Sequence, residues 1–89
     1  GIDEDNKSGV TYNMDYNKDK AAVVNNTKYD LNCTAQAVFY NEAGEIIYAR
    51  SLFAITVPAN EKVSAKFNLG RTPKNFAKME ILAAAAYKK

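Results

Sequence analysis

Asn41-Glu42-Ala43-Gly44 stands between two apolar-rich runs, and this short segment constrains the fold of the chain more than any other. It fits a three-residue hairpin loop, a type I turn followed by a glycine at the position that needs positive φ. Such a loop pairs Asn41 with Glu45. Counting outward predicts one hairpin from Leu31 to Val57, with Phe39 opposite Ile47, Ala37 opposite Ala49, Ala35 opposite Ser51, Cys33 opposite Phe53 and Leu31 opposite Ile55. That face is almost wholly apolar, and a one-residue slip would scatter its residues over both faces. On the other face the same register sets Tyr40 opposite Ile46, Val38 opposite Tyr48, Gln36 opposite Arg50 and Thr34 opposite Leu52.

Period-2 patterning continues on both sides of the hairpin. Val10, Tyr12, Met14 and Tyr16 alternate with polar residues, Asn17-Lys18-Asp19-Lys20 reads as a turn, and Ala21 to Asn25 reads as a short strand closed by Asn25-Asn26-Thr27. Pro58-Ala59-Asn60-Glu61 makes the next turn, because Pro58 has no N–H to give to a ladder. Val63, Ala65, Phe67 and Leu69 then alternate with Lys62, Ser64, Lys66 and Asn68. Residues 76–87 satisfy two patterns. Thr72-Pro73 suits a helix start and Ala77 to Tyr87 is rich in helix formers. As a strand, however, Met79, Ile81, Ala83, Ala85 and Tyr87 share one face and would cover a sheet edge, and the strand is the reading adopted. Strands with turn signals at short spacing argue for an antiparallel sandwich over residues 10–89. Residues 1–9, polar and acidic, read as a flexible leader or the end of a linker.

With 89 residues, 47% of them hydrophobic and 25% charged, the chain suits one domain. Its formal charge of +2 is unevenly spread. Residues 1–45 hold four Lys and eight Asp or Glu, whereas residues 46–89 hold eight Lys or Arg and two Glu. A basic half can face an anionic partner, but lysines on outward strand positions are also an ordinary way to guard sheet edges.

The succession Ala22-Val23-Val24-Asn25-Asn26-Thr27, Ala35-Gln36-Ala37-Val38-Phe39-Tyr40-Asn41-Glu42-Ala43-Gly44-Glu45-Ile46-Ile47, Val57-Pro58-Ala59-Asn60-Glu61 and Ala65-Lys66-Phe67 resembles the FxLYD domain across residues 20–88. The resemblance implies an immunoglobulin-like β-sandwich of about six to seven strands, found mostly on secreted or surface-anchored bacterial proteins and therefore extracytoplasmic. It transfers no catalytic residue. The sequence departs from the family at Asn60, where glycine is usual, although asparagine also tolerates left-handed backbone.

Groups able to carry chemistry are few in this sequence. The chain has no histidine, so the usual general base and imidazole metal ligand are missing. Ser8, Ser51 and Ser64 have no G-x-S-x-G elbow. Asp3, Glu4 and Asp5 lack the spacing of a calcium loop. Met14, Met79 and Cys33 are better read as core than as soft metal ligands. Asn25-Asn26-Thr27 and Asn32-Cys33-Thr34 match the glycosylation pattern, although the first is more simply a turn. No apolar run approaches the roughly 18 residues of a membrane span, and no signal peptide is seen. Phe53 and Phe67 face inward, which argues against nucleic-acid binding by stacking.

The expectation is therefore a structural or protein-interaction module with no enzymatic activity, cofactor or metal, meeting a protein partner or its own copies through a sheet face or edge, and attached to a membrane only through an anchor elsewhere. Val38, Tyr40, Ile46, Tyr48 and Arg50, placed together on the outward hairpin face, are its candidate surface for a protein partner or self-association. The alternative is a ligand-binding module for a glycan or anionic wall polymer, using Tyr48 and Arg50 with Lys62 and Lys66.

Overall fold

A computed structural model describes residues 9–70 and 72–88 of the chain; most of the expected leader, residues 1–8, lies outside them. Six strands follow in order: β1 (Val10–Asp15), β2 (Lys20–Asn25), β3 (Leu31–Tyr40), β4 (Ile46–Val57), β5 (Lys62–Lys66) and β6 (Lys78–Tyr87). They form two antiparallel three-stranded sheets, ordered β1-β2-β5 and β4-β3-β6. Alternation in the sequence decides which face of each strand turns inward. Val10, Tyr12 and Met14 of β1 and Ala21 and Val23 of β2 meet Leu31, Cys33, Ala35, Phe39, Phe53 and Val57 of the second sheet in one core. Tyr12 stacks on Phe53 across the layers, with ring centroids 6.3 Å apart. Each large side chain buried in this way contributes about 1.5–3 kcal/mol.

Residues 78–87 form a strand despite their helix propensity. As β6 they lay Met79, Ile81, Ala83, Ala85 and Tyr87 beside Phe39, Ala37, Ala35, Cys33 and Leu31. A lone helix would leave that row without a partner, so tertiary pairing overrides local preference. Tyr12 crosses the core to donate its hydroxyl to the Ala84 carbonyl at 2.6 Å.

The Leu31–Val57 hairpin forms, and its turn has the expected geometry. Gly44 adopts φ +81°, the Gly44 N–H donates to the Asn41 carbonyl, and the Asn41 N–H donates to Glu45. Asn41 Oδ1 also accepts from the Ala43 and Glu45 amides. Tyr40 pairs with Ile46 as counted from the turn. Beyond that pair the register departs from expectation twice. Ile47 and Leu52 are extra residues in β4, so Phe39 faces Tyr48, Ala37 faces Arg50, Ala35 faces Phe53, Cys33 faces Ile55 and Leu31 faces Val57. Strict alternation would have pressed Ala49 and Ser51 toward the core. The two bulges instead turn these outward and bring Tyr48 and Arg50 to the inner side, while Leu52 joins the buried cluster rather than facing out beside Thr34.

The two sheets differ in length. At about 3.4 Å per residue, the ten residues of β3 span roughly 34 Å and the six of β1 or β2 roughly 20 Å. The turn end of the hairpin thus extends past the first sheet, and the molecule measures 42 × 24 × 21 Å. At the opposite end the chain is tied by Asn25, which is fully buried.

Candidate functional site

The overhanging end of the hairpin carries four of the eight large apolar or aromatic side chains that are exposed among the described residues. Ile46 is 63% exposed, and Ile47, Tyr48 and Phe76 are each about 40% exposed. Tyr48 and Phe76 cover Phe39, which is completely buried, whereas Ile46 stands on the other face of the hairpin, opposite Tyr40. Tyr48 lies 5.8 Å from Phe39, ring to ring, and Phe76 meets it edge-on at 5.2 Å. Phe76 belongs to the connection between β5 and β6, which provides the cover that the shorter sheet cannot. The same connection is fixed by Arg50, whose Nε donates to the Asn68 carbonyl at 2.9 Å. Its guanidinium lies so close to Gly70 that a Cβ there would stand 2.9 Å from it. An open hollow beside the turn is lined by Asn41, Ala43, Asn75 and Phe76.

The five residues expected to share one outward face are divided between two. Val38, Tyr40 and Ile46 keep the outer face, while the bulge at Ile47 turns Tyr48 and Arg50 to the inner one. Val38 is buried although it lies outside the core cluster. Its row is closed by Tyr40, whose hydroxyl donates to Glu80 Oε1 at 2.7 Å, with Lys78 over the Tyr40 ring. That hydrogen bond to Glu80 holds the Tyr40 phenol above its ordinary pKa. Val38 and Arg50 are therefore structural, and the accessible surface is Ile46, Ile47, Tyr48 and Phe76. The reading of the sequence missed Phe76 and Ile47. Phe76 carried a signal, a large aromatic in a polar connection; the bulged Ile47 carried none.

The residues assigned to an anionic ligand do not converge. Lys62 and Lys66 alternate with buried Ala65 on β5 and point away from the core, on the other sheet from Tyr48 and Arg50. Phe53 and Phe67 are buried. Cys33 is buried as well, and burial pushes its thiol up from the ordinary value, which suppresses the nucleophilic thiolate. Burial likewise raises the Tyr12 phenol, with Cys33 beside it adding to the shift. Asn25 of the first glycosylation pattern has its side-chain amide inside the protein, whereas Asn32 of the second is exposed and accepts from Thr56. Among the described residues no three Cys, Asp or Glu side chains gather as a cation site; Asp3, Glu4 and Asp5 lie outside them. A second depression, at the far end, is lined by Tyr29, Asp30, Tyr87 and Lys88.

Compared with protein-family models, curated proteins and solved structures, the chain matches none.

Proposed function

We propose that this chain is a non-catalytic protein-interaction module of an extracytoplasmic bacterial protein, built as an immunoglobulin-like sandwich and binding through the overhanging hairpin. The observation that carries this reading is the exposure of Ile46, Ile47, Tyr48 and Phe76 together at the overhanging end, where Tyr48 and Phe76 cover the buried Phe39. Contiguous exposed apolar surface on a soluble domain marks contact sites, and aromatic residues are enriched there. Strand order supports the immunoglobulin-like arrangement: β1-β2-β5 corresponds to strands A, B and E, and β4-β3-β6 to C′, C and F. The FxLYD-like residues support the envelope setting, since the turn they specify at Asn41 to Gly44 is formed and Asn60 takes the left-handed backbone in place of the family's glycine. A glycan or anionic polymer is the less favoured ligand, because Lys62 and Lys66 stand on a different sheet from Tyr48 and Arg50.

A photo-crosslinking side chain at position 46, exposed to an envelope fraction of the cell of origin, tests the reading. It should capture a discrete protein that the same probe at Ser64, on the opposite sheet, does not. An excess of unlabelled chain should compete, and the Ile46→Ser, Ile47→Ser double variant should not. Equal capture at both positions, or none at 46, would remove the hairpin end as the binding surface.

A further inference from the structure

Among the described residues four strands lie at sheet edges, and three of them are protected in ways that oppose pairing with another chain. β1 spans six residues and β5 five, the latter carrying Lys62 and Lys66. β4 is interrupted by bulges at Ile47 and Leu52. Short length, charge and bulges are the usual means of blunting an edge. β6 has none of these from Ile81 to Tyr87. It is ten residues long, pairs with β3 without a register shift, and carries no charge between Glu80 and Lys88.

The backbone groups of β6 that face away from β3 follow from the ladder. Lys88 donates its N–H to the Asp30 carbonyl, and antiparallel partners alternate between bonded and non-bonded pairs. Even-numbered residues of β6 therefore bond to β3. Ile81, Ala83, Ala85 and Tyr87 direct their N–H and C=O to the open edge, and among the described residues no strand receives them.

We propose that this edge pairs with the same edge of a second copy of the chain, antiparallel and centred on Ala84. A two-fold axis normal to the sheet keeps the inner faces of both copies on one side, so residues directly opposite must share parity. Charge selects among the registers that meet this condition. Centring on Ala83 sets Lys78 opposite Lys88, a like-charge pair. Centring on Ala84 sets Glu80 opposite Lys88 at both ends, Ile81 opposite Tyr87, Leu82 opposite Ala86 and Ala83 opposite Ala85. Opposite charges and apolar partners across strands are favourable, and like charges are not. The odd residues then exchange about eight hydrogen bonds, two for each bonded pair. The alanines at 83–86 leave both faces of the joint free of bulk. The result is a continuous six-stranded sheet through both copies. This surface is separate from the hairpin end, so either can fail without the other.

Ala84 sits on the axis as a non-bonded pair, exposed on the outer face, with its Cα about 4.5 Å from its counterpart. That spacing suits a disulfide. Sedimentation velocity from roughly 10 µM to 1 mM, the weak range expected of a small interface, should show a monomer–dimer equilibrium. Ala84→Lys, which sets two ammonium groups face to face on an exposed position, should weaken the dimer at least tenfold. Its circular dichroism and melting midpoint should match the parent. Under mild oxidation Ala84→Cys should form a covalent dimer much faster than Leu82→Cys, whose opposite residue is Ala86. A chain that stays monomeric throughout that range would overturn the proposal, as would a dimer unaffected by Ala84→Lys. Crosslinking of the Ala84→Cys chain no faster than that of the Leu82→Cys chain would overturn it as well.

Discussion

Asn25 is the buried polar residue on which one end of the fold converges. Its Nδ2 donates to the carbonyls of Tyr29, Val57 and Pro58 at 2.7, 3.0 and 3.2 Å. Its Oδ1 accepts from the Thr27 amide and hydroxyl, and its backbone N–H donates to Glu61. One side chain thus joins the end of β2, the loop that follows it, the end of β4 and the turn after Pro58. Asn25→Asp keeps the shape and reverses the donor, so a carboxylate would face three carbonyls with no water to screen it. The loss should reach about 3 kcal/mol or more, since a buried unsatisfied polar group costs about 1–3 kcal/mol and a charged one more. Urea unfolding checks this against Asn26→Asp, at an exposed site, which should stay within about 0.5 kcal/mol of the parent. The sequence already held a hint of this role. Ala21, Val23 and Asn25 share the inward parity of β2, and an asparagine in that row needs partners. Reading Asn25-Asn26-Thr27 only as a turn accounts for the chain reversal and not for the burial.

At the scale of elements, the Asn41–Gly44 turn, the alternating strands β1 and β5 and the strand nature of β6 were legible, because each is written in turn chemistry or in parity. The two bulges of β4 were not. Ile47 and Leu52 are ordinary strand residues, and what makes them extra is the unequal reach of the two sheets. Near the turn nothing from the shorter sheet covers the hairpin, so Tyr48 turns in against Phe39 and Arg50 reaches Asn68. Farther down, Leu52 and Phe53 both enter the core. That discrepancy divided the expected site, since moving the ladder by one residue moves every following side chain to the other face. The bulge makes a prediction about chain length. Removing Ile47 altogether brings Tyr48 next to Ile46 and leaves every later pair unchanged. The shortened chain should therefore fold, losing no more than about 1.5 kcal/mol, the scale of one partly exposed aliphatic side chain. Proton NMR should still find the Tyr48 ring shifted by Phe39. Tyr48 signals at solvent values would show that the ring packs on Phe39 only while the strand carries the extra residue.

Over the whole molecule, the mismatch in sheet length divides the fold into a doubly covered body and an end held by one sheet and the Phe76 connection. Cys33 and Ala35 lie in the body, with strands on both sides and the second layer above. Asn41, whose amide bonds to Glu45 at 2.9 Å, lies at the end. Segments with fewer packed neighbours open by themselves at lower free energy than the whole protein. If the end opens alone, its amides are indifferent to core contacts that stay intact in the opened state, whereas the Cys33 amide exchanges only when everything unfolds. Val57→Ala tests this, because Val57 is fully buried opposite Leu31, far from the turn. Removing two methyl groups there should cost about 2 kcal/mol. Exchange at Cys33 should then accelerate roughly thirty-fold, a tenfold change corresponding to about 1.4 kcal/mol, while exchange at Asn41 stays constant. Phe76→Ala should behave differently and accelerate both, since its contact with Phe39 is lost in local and global opening alike. Asn41 keeping step with Cys33 in Val57→Ala would mean that the hairpin end and the body unfold as one unit, and that the overhang has no motion of its own.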